Sequence, residues 1–186
     1  GGEGTTEALV AARDGRWVET VVQDPLGQPV SARYGLLPDG TAVMEMAAAS
    51  GLHWVAPHER NPLLTSSYGT GQMMADALSR GVRHILLGIG GSATNDGGAG
   101  MAQALGIRLL DQEGRPLPPG GGALSRLAAV DDSGRLPQLA DCRITVACDV
   151  NNPLCGSQGA SAVFGPQKGA TPDQVAQLDQ ALAHYA

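Results

Sequence analysis

Short apolar stretches separated by turn sequences dominate the first third of the chain. They lie at Arg16–Gln23, Val30–Leu36 and Thr41–Met46, and Gly, Pro and Asp residues fall between them. This spacing predicts three strands, which we expect to form an antiparallel meander. After residue 65, strand-like and helix-like stretches alternate. The whole pattern predicts an α/β fold with a mixed sheet flanked by helices.

Three longer segments have helical periodicity. They are Thr5–Arg13, Ser67–Arg80 and Pro172–Ala186, and Thr171 is the expected N-cap of the last. A further helix is expected where helical spacing resumes at Met101, after the loop that follows residue 88. The other predicted strands are His84–Gly88, Arg108–Leu110, Arg143–Cys148 and Ser161–Phe164.

The loop between the His84–Gly88 strand and the next helix carries the strongest chemical signal. A strand, a glycine-rich turn and a helix together present backbone N–H groups to an anion, usually a phosphate. Asp96 adds a carboxylate that would repel a bare phosphate, so we expect a cation or a hydroxyl group to be deprotonated beside it. The candidate substrate- or phosphate-binding residues of this loop are Gly90, Gly91, Ser92, Thr94, Asn95 and Gly97.

Two other interpretations of this loop remain open. Gly88, Gly90 and Ala93 fit the dinucleotide pattern G-x-G-x-x-G/A, and Asp111 follows about 20 residues later. Against a nicotinamide site, the helix should begin at the third small residue, whereas Asn-Asp-Gly-Gly at 95–98 would break a helix there. The second alternative is a turn with no ligand.

Two further residues carry charge at suggestive places. Asp149 follows an apolar strand, and α/β proteins place ligand groups at the carboxyl ends of strands. Lys168, the only lysine of the chain, lies in a glycine- and proline-rich loop before a helix and could meet an anionic substrate. A surface aspartate in an Asx-turn and an exposed lysine are the alternatives.

Composition limits the classes of protein. The 186 residues permit one domain, 42% are hydrophobic, and the net charge of −6 with no basic run argues against nucleic acids and anionic membranes as partners. No apolar run approaches the roughly 20 residues of a membrane span. Three cysteines without metal spacing indicate a reduced, cytoplasmic protein. Because the chain begins without Met and stops within a helical pattern, we expect a piece of a longer protein.

Six segments together resemble the bacterial glycerate kinase family. They are GGEGT at 1–5, MEMAAASGL at 44–52, RNPLLTSSYGTG at 60–71, GIGGSATNDGGAGMAQALG at 88–106, CDVNNPLCG at 148–156 and FGPQKGAT at 164–171. The resemblance implies a two-domain α/β enzyme about twice this long. The chain is similar mainly to its inserted domain, so we expect residues 1–186 to form a single α/β domain. The family's D-S-F-K and G-E-G-R-x-D-x-Q-T segments do not occur here.

The resemblance also implies a reaction. It is the ATP-dependent phosphorylation of D-glycerate with Mg²⁺, with 2-phosphoglycerate favoured as product and 3-phosphoglycerate as the alternative. Asp96 would orient or deprotonate the attacking hydroxyl or help to hold the metal. Asp149 would bind the metal or the substrate, and Lys168 would pair with substrate carboxylate or phosphate. The glycines and hydroxyls of the loop would cradle anionic oxygens.

The resemblance implies D-glycerate and ATP as small-molecule partners, and the chain could form a homo-oligomer. A non-catalytic ligand-binding or interaction domain is the alternative from another class.

Asp96 should matter more to turnover than to folding, because a side chain in such a loop packs little apolar surface. The chain alone should fold without turning over ATP, because it shows no recognisable triphosphate site.

Overall fold

The computed structural model describes residues 4–186, so the first three residues of the GGEGT segment lie outside the described part. These described residues contain seven strands: β1 (Arg16–Gln23), β2 (Pro29–Leu36), β3 (Thr41–Glu45), β4 (His84–Gly88), β5 (Arg108–Leu110), β6 (Ala129–Asp131) and β7 (Arg143–Ala147). The α-helices are α1 (Thr5–Ala12), α2 (Ala47–Ser50), α3 (Tyr68–Ser79), α4 (Ala99–Ala104), α5 (Ala160–Phe164) and α6 (Pro172–Tyr185). Short 3₁₀ turns lie at Leu52–Trp54, Pro57–Glu59, Gly121–Arg126, Pro137–Asp141 and Pro166–Lys168.

The main sheet is mixed, as the sequence predicts. Its order is β1-β2-β3-β4-β7, and β5 pairs with β6 in a separate two-stranded sheet. β1, β2 and β3 form the expected antiparallel meander, whereas β3, β4 and β7 are parallel. In the parallel part, Glu45, Gly88 and Ala147 are in register at the carboxyl ends of their strands. The loops that follow these three strands therefore meet at one edge of the sheet.

Two apolar clusters stabilise the fold. The larger packs the sheet against α3, with Tyr34, Met44, Met73 and Ile85 all fully buried. Each such side chain contributes roughly 1.5–3 kcal/mol through burial. The smaller cluster joins α4, α6 and the Gly121–Arg126 turn around Leu109, Leu124 and Leu182. The α1 helix packs on β2 and β3, and the Glu45 Oε1 atom accepts a hydrogen bond from the Thr6 N–H at its N-terminus (2.9 Å).

Three parts of the secondary structure differ from the prediction. Ser161–Phe164 is not a strand but most of α5, which packs against α6. A four-residue apolar run has no periodicity that separates strand from helix, and packing against a long helix decides the outcome. The α2 helix, with four residues, and β6, with three, were not predicted.

In the part of the chain that the structure describes, no helix is long and apolar enough to cross a membrane. The three cysteines are all free.

Candidate active site

The loop after β4 is fixed by the segment that follows β3. The Met46 N–H donates to the Gly88 carbonyl (2.7 Å), and the Leu52 N–H donates to the Gly91 carbonyl (2.9 Å). The Ala93 N–H donates in turn to the Ser50 carbonyl (2.9 Å). Hydrogen bonds at both ends of the loop hold its backbone in one conformation.

Glycine is needed at the point where this loop becomes a helix. Gly97 and Gly98 have φ values of 58° and 79°, in the left-handed region that side chains with a Cβ rarely adopt. The α4 helix then begins at Ala99, two residues before the first helical residue that the sequence indicated. This position lies six residues beyond Ala93, so no helix begins at the third small residue of the dinucleotide pattern.

Asp111 also contradicts a nicotinamide site. Its Oδ1 atom accepts the N–H groups of Glu113 (3.0 Å) and Arg115 (2.9 Å), and its Oδ2 atom pairs with the Arg115 side chain. The carboxylate thus closes its own turn after β5, and β5 does not belong to the main sheet. The dinucleotide interpretation is wrong for this loop.

Asp96 is buried and joins the N-termini of two helices. Its Oδ2 atom accepts from the Ser67 N–H and hydroxyl, both at 2.8 Å, and from the Gly100 N–H at 3.2 Å. Its Oδ1 atom accepts only from the Gly98 N–H, at 3.2 Å. Ser67 precedes α3 and Gly98 precedes α4, so one carboxylate compensates the unpaired N–H groups of both helices.

This geometry corrects the premise that the side chain of Asp96 packs little in its loop. The residue is only 2% exposed and its carboxylate takes part in four hydrogen bonds. The sequence could not indicate this, because Ser67 is 29 residues away along the chain. The N-terminus of α3 is thus capped by Asp96, from within the protein.

Lys168 reaches the same loop from the opposite side of the site. Its Nζ atom donates to the Ser92 hydroxyl (2.9 Å) and to the Thr94 carbonyl (2.5 Å). The residue is only 9% exposed, so the alternative of an exposed lysine is wrong. An ammonium group has three N–H donors, and these two contacts leave one of them for a ligand.

The environment of Lys168 disfavours its charge. Burial lowers the pKa of Lys168 from 10.5 to about 8, because desolvation penalises the ammonium form, and the nearby negative charge of Asp96 opposes the shift. Among the described residues, no Asp or Glu side chain forms an ion pair with Lys168. An anionic ligand would supply the missing opposite charge.

Asn95 is held by a residue that the sequence did not single out. Its Nδ2 atom donates to the hydroxyl of Ser161 (2.8 Å), and both side chains are buried. Ser161 was assigned to a strand, whereas it lies on α5 and faces the loop 66 residues before it. No feature of the sequence signals this contact, because many apolar segments contain a single serine.

A cavity of about 630 Å³ unites these residues. This volume falls within the range of small-molecule sites, roughly 300–1,000 Å³. Its lining also includes the apolar residues Ile89, Val146, Leu154 and Phe164. All the predicted site residues line the cavity: Gly90, Gly91, Ser92, Thr94, Asn95, Asp96, Gly97, Asp149 and Lys168.

Asp149 lies at the exposed rim of this cavity, two residues after β7. Within residues 4–186, no group of three or more His, Cys, Asp or Glu side chains could hold a metal ion. Mg²⁺ nevertheless commonly binds one or two carboxylates and completes its shell with waters and substrate phosphates. An exposed carboxylate at the rim of this cavity fits that mode of binding.

Fold and site define an α/β protein with a glycine-rich loop and a buried lysine at the carboxyl ends of parallel strands, an arrangement suited to a small anionic ligand. The sequence profile described as the Glycerate kinase family matches residues 1–186. The chain therefore belongs to the glycerate kinase family.

Individual relatives agree with the family match. A glycerate kinase of Bacillus subtilis (strain 168) is 58% identical over 100% of this chain and 49% of its own length. A glycerate 2-kinase of Escherichia coli (strain K12) is 54% identical over the same shares of the two chains, 100% and 49%. A solved structure from Salmonella typhimurium LT2, assigned provisionally as glycerate kinase 2, has a TM-score of 0.97 at 58% identity and covers 100% of this chain and 50% of that one. The chain thus spans about half the length of the curated relatives it matches.

Proposed function

We propose that this chain is part of an enzyme that transfers the γ-phosphoryl group of ATP to D-glycerate. The observation that carries the proposal is Lys168, a buried ammonium that contacts the glycine-rich loop, lines the cavity and has no carboxylate in an ion pair with it among the described residues. A buried charge is costly unless an opposite charge compensates it. The carboxylate of glycerate and the phosphoryl group are both suitable anions.

In this proposal, different residues of the site bind different parts of the substrates. Lys168 donates its remaining N–H to the glycerate carboxylate, while the backbone near Gly90 and Gly91 receives the phosphoryl oxygens. Ser92 and Thr94, whose oxygens hold the ammonium, fix the lysine in this position. Because the cavity is larger than a three-carbon acid requires, it leaves room for the phosphate end of the nucleotide.

Asp96 would orient the attacking hydroxyl. Its Oδ2 atom is fully used by three donors, but Oδ1 has only the Gly98 N–H at 3.2 Å and keeps a lone pair for a substrate hydroxyl. Because most of its lone pairs already accept hydrogen bonds, its proposed contribution is orientation and electrostatic stabilisation of the attacking hydroxyl. Asn95, fixed by Ser161, would donate to a neighbouring substrate oxygen.

Asp149 is the residue proposed to hold Mg²⁺, together with nucleotide phosphate oxygens. The metal would supply neutralisation of phosphate charge. Asp96 is less suited to bind it, because most of its lone pairs already accept hydrogen bonds.

The proposal extends to the setting of the reaction. Residues 1–186 would form one α/β domain of a larger kinase, whose other half completes the ATP site. 2-Phosphoglycerate is the favoured product, which the name of the E. coli relative supports. The enzyme would act in the cytoplasm, where free cysteines stay reduced.

A coupled assay of ADP formation with the full-length protein tests this function. Wild-type protein should form ADP only when D-glycerate is present, and the ³¹P spectrum of the product should show a phosphate on C2. Lys168→Met should lower kcat/KM by about 10²-fold or more, as expected for the loss of a charge-stabilising donor. Arg126→Met, which removes an exposed cation outside the cavity, is the matched control and should act like wild type. A well-folded protein that binds glycerate without forming ADP would favour the non-catalytic alternative.

A further inference from the structure

β7 is an edge strand with unusual exposure. Parallel strands are normally covered on both faces and read as buried apolar runs. In β7 the four residues from Arg143 to Val146 are all exposed, including Ile144 at 40% and Val146 at 48%. The same sheet buries the apolar side chains of its neighbour β4, where Ile85 is 0% and Leu87 is 2% exposed.

The layer that covers this face of the sheet extends over β4 but not over β7. Ile144 is in register with Ile85, and Val146 with Leu87, so the members of each pair point to the same face of the sheet. Ile85 and Leu87 pack into the core beside α3, whereas their partners on β7 do not join that cluster. Among the residues that the structure describes, none therefore covers this apolar face of β7 completely.

The free edge of β7 also carries unpaired backbone groups. The Arg143 N–H donates toward β4, to the Arg83 carbonyl at 2.9 Å. Backbone groups alternate in direction along a strand, so the N–H and C=O groups of Ile144 and Val146 point away from β4. An open edge of this kind is a template for pairing with another strand.

This surface continues into the candidate active site. Val146, together with Val150 (50% exposed) and Leu154 (42% exposed), lines the cavity that contains Lys168. Whatever covers β7 would also close the apolar wall of that cavity. The edge, the uncovered face and the cavity wall thus form one surface, here called the β7 surface, which comprises Ile144, Val146, Val150 and Leu154.

We propose that a strand from the other half of the full-length polypeptide pairs with β7 and that its flanking structure covers the β7 surface. The relatives are about twice as long as this chain, so a further half of the protein is available to do so. A segment of the same polypeptide is tethered near β7 at a high effective concentration. It would therefore outcompete a second copy of the chain for this edge. This inference rests on membership of the family and on packing, and does not depend on the proposed phosphoryl transfer.

Hydrogen exchange of the full-length protein tests the pairing without any substitution. We expect the amides of Ile144 and Val146 to exchange as slowly as that of Thr145, within about 10-fold, because all three would be hydrogen-bonded. Exchange of the Ile144 and Val146 amides about 10²-fold faster than that of Thr145 would show an open edge and overturn the proposal. Protection that disappears on dilution would assign the surface to a second copy, and would also overturn it.

A pair of variants tests the covered face. Ile144→Lys in the full-length protein should lower the Tm by several degrees, because it places a charge in an apolar interface. Val21→Lys is the matched control, since Val21 is 72% exposed on β1 at the opposite edge of the same sheet, and its Tm should stay that of wild type. Two results together would contradict a covered β7. They are equal Tm values for the two variants and rapid hydrogen exchange of the Ile144 amide in the wild-type protein. Neither readout requires turnover, so a failed proposal here is distinguishable from a failed assignment of function.

Discussion

At the scale of single residues, Lys168 links the pKa of one side chain to the affinity of the site. Its pKa of about 8 means that the ammonium form is present below that pH and is lost above it. For the full-length enzyme we expect the KM for glycerate to rise about tenfold per pH unit above pH 8, as the charged form falls tenfold per unit. Lys168→Met should show a high KM with no such pH dependence. A wild-type KM that is flat from pH 7 to 9.5 would contradict this role.

Unfolding does not explain such a loss of affinity. The pKa of Lys168 is lower in the folded state than its ordinary value of 10.5, so the unfolded chain binds more protons between pH 8 and 10.5. The contribution of this residue to the free energy of unfolding therefore rises with pH across that window. Denaturant titrations at pH 7.5 and 9.5 are the control that separates binding from stability.

Asp96 should affect both folding and turnover. An asparagine at this position places an NH₂ group against at least one N–H donor, from Ser67, Gly100 or Gly98. We expect Asp96→Asn to lower the free energy of unfolding by about 1–3 kcal/mol, the cost of an unsatisfied buried group, and kcat by about 10²-fold. Asp141→Asn, at an exposed aspartate, is the control for loss of charge. An Asp96→Asn protein with the Tm and kcat of wild type would remove both roles.

The sequence singled out residues that the structure brings to one cavity, but not the residues that hold them in place. Gly90, Asp96 and Lys168 were found because their residue types are unusual in their local context, and all three line the cavity. Ser67 was missed as the partner of Asp96, and Ser161 as the partner of Asn95, because these contacts connect residues 29 and 66 positions apart. Periodicity and local spacing carry no information on such distant contacts.

At the scale of elements, α6 has a strong N-terminal signal. The Thr171 hydroxyl accepts from the Gln174 N–H (3.3 Å), and the Gln174 side chain accepts from the Thr171 N–H (2.9 Å). This capping box and Pro172 made the helix predictable from local sequence. Thr171→Ala should lower the free energy of unfolding by about 0.5–2 kcal/mol. A Tm no lower than that of Ser157→Ala, at an exposed serine, would show that the cap is dispensable.

Predictability of the elements follows their length and their dependence on distant packing. The meander of β1, β2 and β3 was predicted because turn residues mark its reversals, and the structure has the same pairing. α5 was assigned wrongly because five residues of apolar sequence suit either a strand or a helix, and only contact with α6 selects the helix. The position of β7 at the sheet edge had no local signal at all.

At the scale of the whole molecule, the cavity has an open apolar wall, and about half of a relative's length lies outside this chain. Phosphoryl transfer requires nucleotide, metal and acceptor to be held together. We therefore expect the 186-residue chain alone to show no glycerate-dependent ADP formation, whereas the full-length protein turns over. Kinase activity in the purified chain, which persists after removal of host enzymes and disappears in Lys168→Met, would place the whole nucleotide site within these residues.

The most direct test of the central claim uses the fact that Lys168 is the only lysine. In the 186-residue chain labelled with ¹³C-lysine, the ¹³Cε resonance reports the protonation of this one side chain without assignment. We expect a titration midpoint near pH 8 in the free protein. The midpoint should be higher when D-glycerate is bound, because an anion stabilises the ammonium form. A midpoint near the ordinary lysine value of 10.5 that glycerate does not move would contradict a buried lysine that binds the anionic substrate.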